Sequence, residues 1–403
     1  MSKTIYLFLV LVIGMNLGID RLEIFGKKNI EYLFQIVLTG LIVYGYKKWR
    51  PCMLNWQILI KTSMILRFFI VLMIITPIIP LFLYNQPYVS TLISQRGIYI
   101  WFLLPILARM DIQPNDIIKV LKYITFVVLG LWILSILMPE FFMSDASTFL
   151  SNKRFGQTSD IGTKVPGFIL CVIFMLYTFN VMLKERNTYY FILSSLLALW
   201  TVAYQNRSCL FIIGLAFAYC FIKSSHIRTL KGIIIVIIGL LLFFPFVMDI
   251  ANSLLDETEM QMNQTDYNRW VALDYFLFDS NQTWYTMFFG HGVVSYEGGE
   301  YAKEIERIGT MGGFLADIGI IATFWYYGII PILLLVYWTY MSFAKRVPLY
   351  IKFYSLFFWL VPNQHNFLHP YVSTNLVIVI YVYLLYYHYY SRNTISYEKN
   401  IVI

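Results

Sequence analysis

Residues 64–84 read MILRFFIVLMIITPIIPLFLY, a run of 21 residues in which Arg67 carries the only charge. A helix of this length reaches across the hydrocarbon core of a bilayer, which is about 30 Å thick. The run is continuously apolar rather than alternating with a period of two, so it predicts a membrane-spanning helix and not a strand of a membrane barrel. Similar runs recur from one end of the chain to the other.

The composition of the whole chain agrees with this stretch. Of its 403 residues, 59% are hydrophobic and 13% are charged, and the mean hydropathy is +0.66. Soluble domains average about 45–50% apolar and about 25% charged residues. We therefore predict an all-α polytopic membrane protein, a single transmembrane bundle over residues 1–403 with no soluble domain. About twelve spans are expected, at 4–19, 31–45, 64–84, 92–108, 118–138, 164–183, 188–205, 208–223, 231–250, 326–344, 349–362 and 370–390.

The charges indicate how the bundle is oriented. The net charge is +8, but 19 basic and only four acidic residues fall on the loops of one predicted side. Such an excess marks the cytoplasmic side, so the basic balance does not point to nucleic acid, and both termini are predicted to be cytoplasmic. The opposite side then holds a loop at 139–163, a tight turn at 205–208 and a long loop with short helices at 251–327.

The sequence offers little support for metal or nucleotide chemistry. The four cysteines have no paired spacing, and His365 and His369, four residues apart, have Pro370 beside them and no carboxylate near. Neither a phosphate-binding glycine loop nor a metalloprotease motif is present. We predict no cofactor and no metal, with the cysteines buried as small apolar residues.

Three arginines fall on the predicted outer side, where a positive charge is unusual. Arg207 stands at the end of a span, Arg154 lies in the 139–163 loop, and Arg269 precedes Trp270 in the long loop. Each has an ordinary explanation: a snorkelling side chain, a solvated loop charge, and a partner for the acidic residues 256–259. Together they suggest a diphosphate site, because guanidinium groups bind phosphate oxygens bidentately and keep their charge.

Two further ionisable residues of the long loop are candidates for catalysis. His291 lies between Gly290 and Gly292, which permit unusual backbone angles and close approach of a substrate. It is predicted as a general base, against the alternative of a hydrogen-bonded structural histidine. Asp317 lies in an apolar setting and needs a partner, either an arginine or a substrate hydroxyl. The glutamates of 300–306 are expected to be solvated.

Four short elements, taken in order, resemble those of the O-antigen polymerase and O-antigen ligase superfamily. They are Arg154-Phe155-Gly156, then Asn206-Arg207-Ser208, then Arg269-Trp270-Val271-Ala272 before Gly290-His291-Gly292, and last Asp317-Ile318-Gly319 leading to Tyr327-Gly328. The first is one residue tighter than the common form, and the second has Asn in place of Ser. Ligases usually carry a His-Asn pair where this chain has Ala316-Asp317, which favours a polymerase.

The resemblance implies a metal-independent membrane glycosyltransferase of the bacterial cytoplasmic membrane. Its substrate would be a polyprenyl-diphosphate-linked oligosaccharide, polymerised at the outer face into O-antigen, capsule or exopolysaccharide. Arg154, Arg207 and Arg269 would bind the diphosphate, and His291 or Asp317 would act on the acceptor hydroxyl. Chain-length regulator and flippase proteins are the expected partners. A flippase of lipid-linked oligosaccharide and an O-antigen ligase are the alternatives.

Overall fold

The computed structural model is mainly helical in the part of the chain that it describes. That part comprises residues 1–15, 27–50, 56–138, 167–185, 188–204, 207–223, 268–279, 283–295, 299–311, 313–315, 318–360, 368 and 372–391. No strand occurs in these ranges, which confirms the predicted all-α class.

The described part of the chain forms the following helices, given in chain order. They are α1 (Lys3–Met15), α2 (Lys27–Lys48), α3 (Trp56–Ile75), α4 (Ile78–Tyr84), α5 (Tyr88–Ser94), a 3-10 helix (Arg96–Phe102), α6 (Leu103–Met110), α7 (Pro114–Leu137), α8 (Phe168–Lys184), α9 (Thr188–Ala203), α10 (Arg207–Lys223), α11 (Asn268–Asp274), a π-helical segment (Tyr275–Asp279), α12 (Trp284–Phe289), α13 (Glu300–Thr310), α14 (Ile320–Tyr327), α15 (Ile329–Ser342), α16 (Leu349–Leu360) and α17 (Val372–Tyr390).

Among the described residues, three helical stretches are long and apolar enough to cross a bilayer. They are Trp56–Tyr84, which joins α3 and α4, and the helices α7 and α17. A fourth is obtained if α5 and Arg96–Met110, which are bent by 55° relative to each other, count as one span. Shorter apolar helices of 10–17 residues are Lys3–Met15, Phe168–Lys184, Thr188–Ala203, Cys209–Lys223 and Ile329–Ser342. Length and composition therefore fit a membrane protein with three or four such spans.

Two of the predicted spans are interrupted. The span predicted at 326–344 falls on the end of α14 and on α15, which meet at Gly328 with φ of 75°. The span predicted at 92–108 falls on the end of α5, the 3-10 helix and α6, and the chain bends by 55° between Ser94 and Arg96. The span predicted at 231–250 lies outside the described residues.

The chain divides into two compact units, one of residues 1–40 and 115–263 and the other of residues 41–114 and 264–403. In the first unit α8 packs against α9 and α10. Phe168 stacks on Tyr204 with ring centroids 4.0 Å apart. The three described cysteines, Cys171, Cys209 and Cys220, are buried free thiols, as expected of small apolar residues.

The second unit is built around α17. This helix contacts α3, the 3-10 helix, α6, α15 and α16, and nearly all of its side chains are buried. Its Asn375 Oδ1 accepts hydrogen bonds from Trp101 Nε1 (3.3 Å) and from the backbone N–H of Leu368 (2.9 Å). Tyr383 Oη donates to the Ile112 carbonyl at 2.8 Å. These hydrogen bonds tie the buried helix to the segments packed around it.

Candidate functional site

The candidate site lies entirely within the second unit, where a helix break meets the loop that follows α12. Asn85 ends α4 in the left-handed conformation (φ 52°), and the Gln86 N–H bonds back to the Pro80 carbonyl at 3.1 Å. Pro87 follows as the N-cap residue of α5. This turn places Gln86, which is 2% exposed, against the loop of residues 290–295.

The Gln86 side chain holds that loop in place with both ends of its amide. Nε2 donates to the Val293 carbonyl (2.9 Å) and to Thr91 Oγ1, while Oε1 accepts from the Ser295 N–H (2.9 Å). A buried backbone segment outside helices needs such partners, because an unpaired buried amide is costly. One side chain therefore supplies a donor and an acceptor that a neighbouring strand would otherwise provide.

The opposite edge of the loop is fixed to the end of α14. The His291 N–H donates to the Trp325 carbonyl at 2.7 Å, and the Gly292 N–H donates to the Tyr326 carbonyl at 3.0 Å. Gly290 has φ of 76°, and a Cβ there would lie 2.3 Å from the Tyr326 backbone. The glycines beside His291 thus allow the end of α14 to approach closely. From the sequence, we expected a substrate to approach at this point.

His291 lies inside a network of aromatic rings. Its side chain is 3% exposed and stacks on Trp325 with centroids 3.7 Å apart and planes 7° apart. His291 Nδ1 lies 2.8 Å from Tyr84 Oη, and the Tyr84 ring stacks on Tyr301 at 4.2 Å. Tyr301 Oη donates to the Gly292 carbonyl and accepts from Trp325 Nε1, both at 2.9 Å. The histidine is therefore packed and hydrogen-bonded on several sides.

Burial also sets the charge of the imidazole. It lowers the pKa of His291 from the ordinary 6.5 to about 4, so the ring is neutral at pH 7. If Tyr84 donates to Nδ1, the remaining proton lies on Nε2 and the ring has no free acceptor. If Nδ1–H donates instead, Nε2 keeps a lone pair and the Tyr84 hydroxyl can donate elsewhere. Base catalysis by His291 requires the second arrangement, and in both arrangements the histidine orients Tyr84.

A carboxylate borders the aromatic network. Glu304 lies one turn after Tyr301 on α13 and accepts hydrogen bonds from Arg307 Nη2 (2.8 Å) and Arg307 Nε (3.1 Å). The Tyr275 hydroxyl, from the π-helical segment, donates to the same carboxylate. The Tyr275 ring lies 6.3 Å from Trp325. The Glu304 side chain is 34% exposed and that of Arg307 is 51% exposed, so the group is accessible from outside.

The Arg307 guanidinium keeps the Glu304 carboxyl ionised. It holds the pKa of Glu304 below its usual range, against an opposing effect of partial burial, and the Tyr275 hydroxyl lowers it further. From the sequence alone, the glutamates of residues 300–306 are expected only to be solvated. The missed signal is the helical spacing on α13, where Tyr301, Ala302, Ile305 and Ile308 are buried and Glu304 and Arg307 share the neighbouring face.

The structure places the predicted arginines only in part. Arg269 is the second residue of α11, and Arg207 is the first residue of α10 in the first unit, but their side chains lie outside the described part, as do Arg154 and Asp317 entirely. The diphosphate-binding set therefore stays a prediction. The packing of α11 is described, because its Ala272 is fully buried and lies against Gly313.

The segment after α11 joins this helix to the aromatic network. Phe276 is fully buried, and its ring lies 4.8 Å from that of Trp325 in an edge-on arrangement. The π-helical segment that follows the helix of Arg269 and the loop that carries His291 thus both contact Trp325. Within the described ranges, no three His, Cys, Asp or Glu side chains are grouped so as to hold a metal ion.

Comparison with known proteins gives no relative for this chain. No family model matches it, and neither a search of curated proteins nor a search of solved structures finds a match. The fold and site define the class as an all-helical protein with apolar helices of membrane-spanning length. Any more particular function rests on the residues themselves.

Proposed function

We propose that this protein is a metal-independent glycosyltransferase that polymerises polyprenyl-diphosphate-linked oligosaccharide repeat units. It works at the outer face of the bacterial cytoplasmic membrane, in a bundle of about twelve spans with both termini in the cytoplasm. The product is O-antigen, capsule or exopolysaccharide. Chain-length regulator and flippase proteins are its partners.

The observation that carries this proposal is the position of the polar segment relative to an apolar helix. The stretch Trp56–Tyr84 ends at Tyr84, and its last residue forms a hydrogen bond with His291 of the loop. The π-helical segment and α13 pack at this helix end, through Phe276 on Trp325 and through Tyr301 on Tyr84. A folded polar surface at the end of a span is the place where a lipid-linked sugar has its head group, while the lipid stays in the bilayer.

The proposed reaction needs no nucleotide. A hydroxyl oxygen of the acceptor unit attacks C1 of the donor sugar, and the bond from C1 to the phosphate oxygen breaks. Polyprenyl diphosphate leaves with the electron pair, and the hydroxyl proton passes to a base, for which His291 and Asp317 are the predicted candidates. Arg154, Arg207 and Arg269 stabilise the charge that develops on the diphosphate.

The arginine assignment is testable by substitution. We expect Arg269→Ala and Arg207→Ala each to abolish long-chain polymer in cells while membrane insertion stays normal, because the diphosphate loses charge-assisted hydrogen bonds. Arg269→Lys should form little long-chain polymer, since an ammonium group cannot bind two phosphate oxygens as a planar guanidinium does. Polymer length is read from glycan gels.

Arg346→Ala is the matched control, because Arg346 lies on the predicted cytoplasmic side and stacks on Tyr389 at 3.9 Å. It should leave the glycan ladder unchanged. Normal polymer in both Arg269→Ala and Arg207→Ala would remove these two residues from the mechanism.

A flippase is the second candidate, and one observation favours it. Next to the helix break, Gln86, Thr91 and Gln95 are buried between apolar helices, and α5 is bent by 55° from the helix after it. Broken helices with polar side chains are typical of transporter binding sites. A flippase would move lipid-linked oligosaccharide between vesicle leaflets without forming polymer, so the two functions give different products.

A further inference from the structure

We propose that Glu304, Arg307 and Tyr275 form a glycan-binding subsite that holds the hydroxyl groups of the acceptor sugar. This inference rests on the proposed function, because it names the side chains that position one of the two substrates. Nothing in the sequence motifs pointed to Glu304. The ligand class follows from the chemistry of the three side chains and from their support.

The chemistry of the group suits a neutral, polyhydroxylated ligand. The ionised Glu304 carboxylate has about four acceptor positions, of which Tyr275 and the two Arg307 nitrogens occupy three. Arg307 retains further N–H donors for sugar oxygens. Because the guanidinium already balances the carboxylate, the pair is less attractive to a free cation or anion than either residue alone would be.

The group differs from an ordinary ion pair on a helix surface. An exposed pair three residues apart contributes little stability and needs no third partner. Here the Tyr275 hydroxyl reaches the carboxylate from a separate element, and the Arg307 guanidinium lies over the Tyr275 ring at 5.9 Å. Two side chains, Arg307 on the same helix and Tyr275 on a separate element, therefore fix the direction of the Glu304 carboxylate.

The support beneath the group is rigid. Tyr301, one turn before Glu304 on α13, is 1% exposed and is held by the Gly292 carbonyl and by Trp325 Nε1. Tyr275 lies against the same tryptophan. A binding group on a helix, with its neighbours locked by packing and hydrogen bonds, is held in a fixed position for hydrogen bonds to sugar hydroxyl groups.

Reconstituted full-length protein tests the subsite with two readouts. The first is the initial rate of polymer formation against the concentration of lipid-linked repeat units. The second is equilibrium binding of the repeat-unit oligosaccharide after its release from the lipid by mild acid. We expect Glu304→Gln to raise the KM and the oligosaccharide Kd about tenfold or more, since a hydrogen bond to a charged group is replaced by a weaker one, with kcat much less affected.

Two further variants complete the experiment. Glu306→Gln is the control, because Glu306 is exposed and points away from Glu304 on the same helix, and it should behave as wild type. Tyr275→Phe leaves the carboxylate in place but removes one of its partners, and should raise the KM by a smaller factor.

The outcomes separate this inference from the proposed function. The subsite would be overturned if wild type forms polymer and Glu304→Gln has the same KM and Kd as Glu306→Gln. A lower thermal midpoint in Glu304→Gln with unchanged KM would overturn it too, since the pair would then be structural. Oligosaccharide binding that depends on Glu304, in a protein that forms no polymer, would support the subsite and contradict the polymerase.

Discussion

At the scale of single residues, the loop around His291 depends on glycines, which have no side chain. Gly290 and Gly328 both have positive φ, and a Cβ at either would overlap backbone atoms, of Tyr326 at 2.3 Å and of Phe288 at 2.1 Å respectively. These contacts bring α12 and α14 together closely enough for His291 and Gly292 to bond to α14 carbonyls. The glycines are therefore required by the packing of the chain itself.

Gly290→Ala should destabilise the protein by about 3 kcal/mol or more, because a positive φ strains alanine and the methyl group meets backbone that cannot move aside. Gly299→Ala is the matched control. Gly299 also has positive φ (111°), but nothing lies within 4 Å of the position that its methyl group would take, so only the backbone strain of about 1–3 kcal/mol applies. The measurement is the thermal midpoint of each purified variant in the same detergent.

Equal losses in the two variants would show that the close approach between Gly290 and α14 is absent in solution. A larger loss at Gly290 would support the described packing of the loop.

His291 shows where sequence reasoning reaches its limit at this scale. Its position between two glycines singled it out as a candidate general base, and that role stays a prediction. The sequence could not show that the ring stacks on Trp325, 34 positions away, or that burial lowers its pKa to about 4. Long-range packing decides the environment of a titratable group, and a motif of three residues does not contain it.

At the scale of elements, apolar runs and helix-breaking residues account for much of the fold. The runs at 118–138, 188–205 and 208–223 correspond closely to α7, α9 and α10. The divided span at 326–344 could have been predicted from Gly328. The 3-10 helix Arg96–Phe102 and the π-helical segment Tyr275–Asp279 could not, because tertiary contacts rather than local propensity select such geometries.

Gln86 joins two of these elements, and its loss should loosen the loop at 290–295. Gln86→Met keeps the side-chain volume but leaves the Val293 carbonyl and the Ser295 N–H without their partner, at a cost of about 1–3 kcal/mol for each group. We expect faster amide hydrogen exchange in a peptide covering 290–295, measured by mass spectrometry on protein in detergent.

Gln95→Met is the control for this variant. Gln95 is equally buried in the same unit, but its described hydrogen bond joins it to Thr76 and not to the loop. Exchange that stays as slow in Gln86→Met as in Gln95→Met would mean that the glutamine does not hold the loop.

At the scale of the whole molecule, composition was sufficient to indicate apolar helices, and the structure confirms them. The predicted number of spans rests on the apolar runs, and the predicted membrane side of each loop rests on the distribution of Lys and Arg. The candidate site was predicted less completely. The roles of His291 and Arg269 stay predictions, and the Glu304 group was missed because its members come from two segments that only the fold brings together.

The central claim is that this chain alone forms glycan polymer from lipid-linked units. The most direct measurement is to reconstitute the purified protein in vesicles with polyprenyl-diphosphate-linked repeat units as the sole substrate, with EDTA and without nucleotide. The account predicts a ladder of products that differ by one repeat unit, because the glycosyl-diphosphate bond supplies the free energy and arginines stabilise the leaving group. Movement of the units across the bilayer without any ladder, or a ladder that requires a divalent cation, would contradict it.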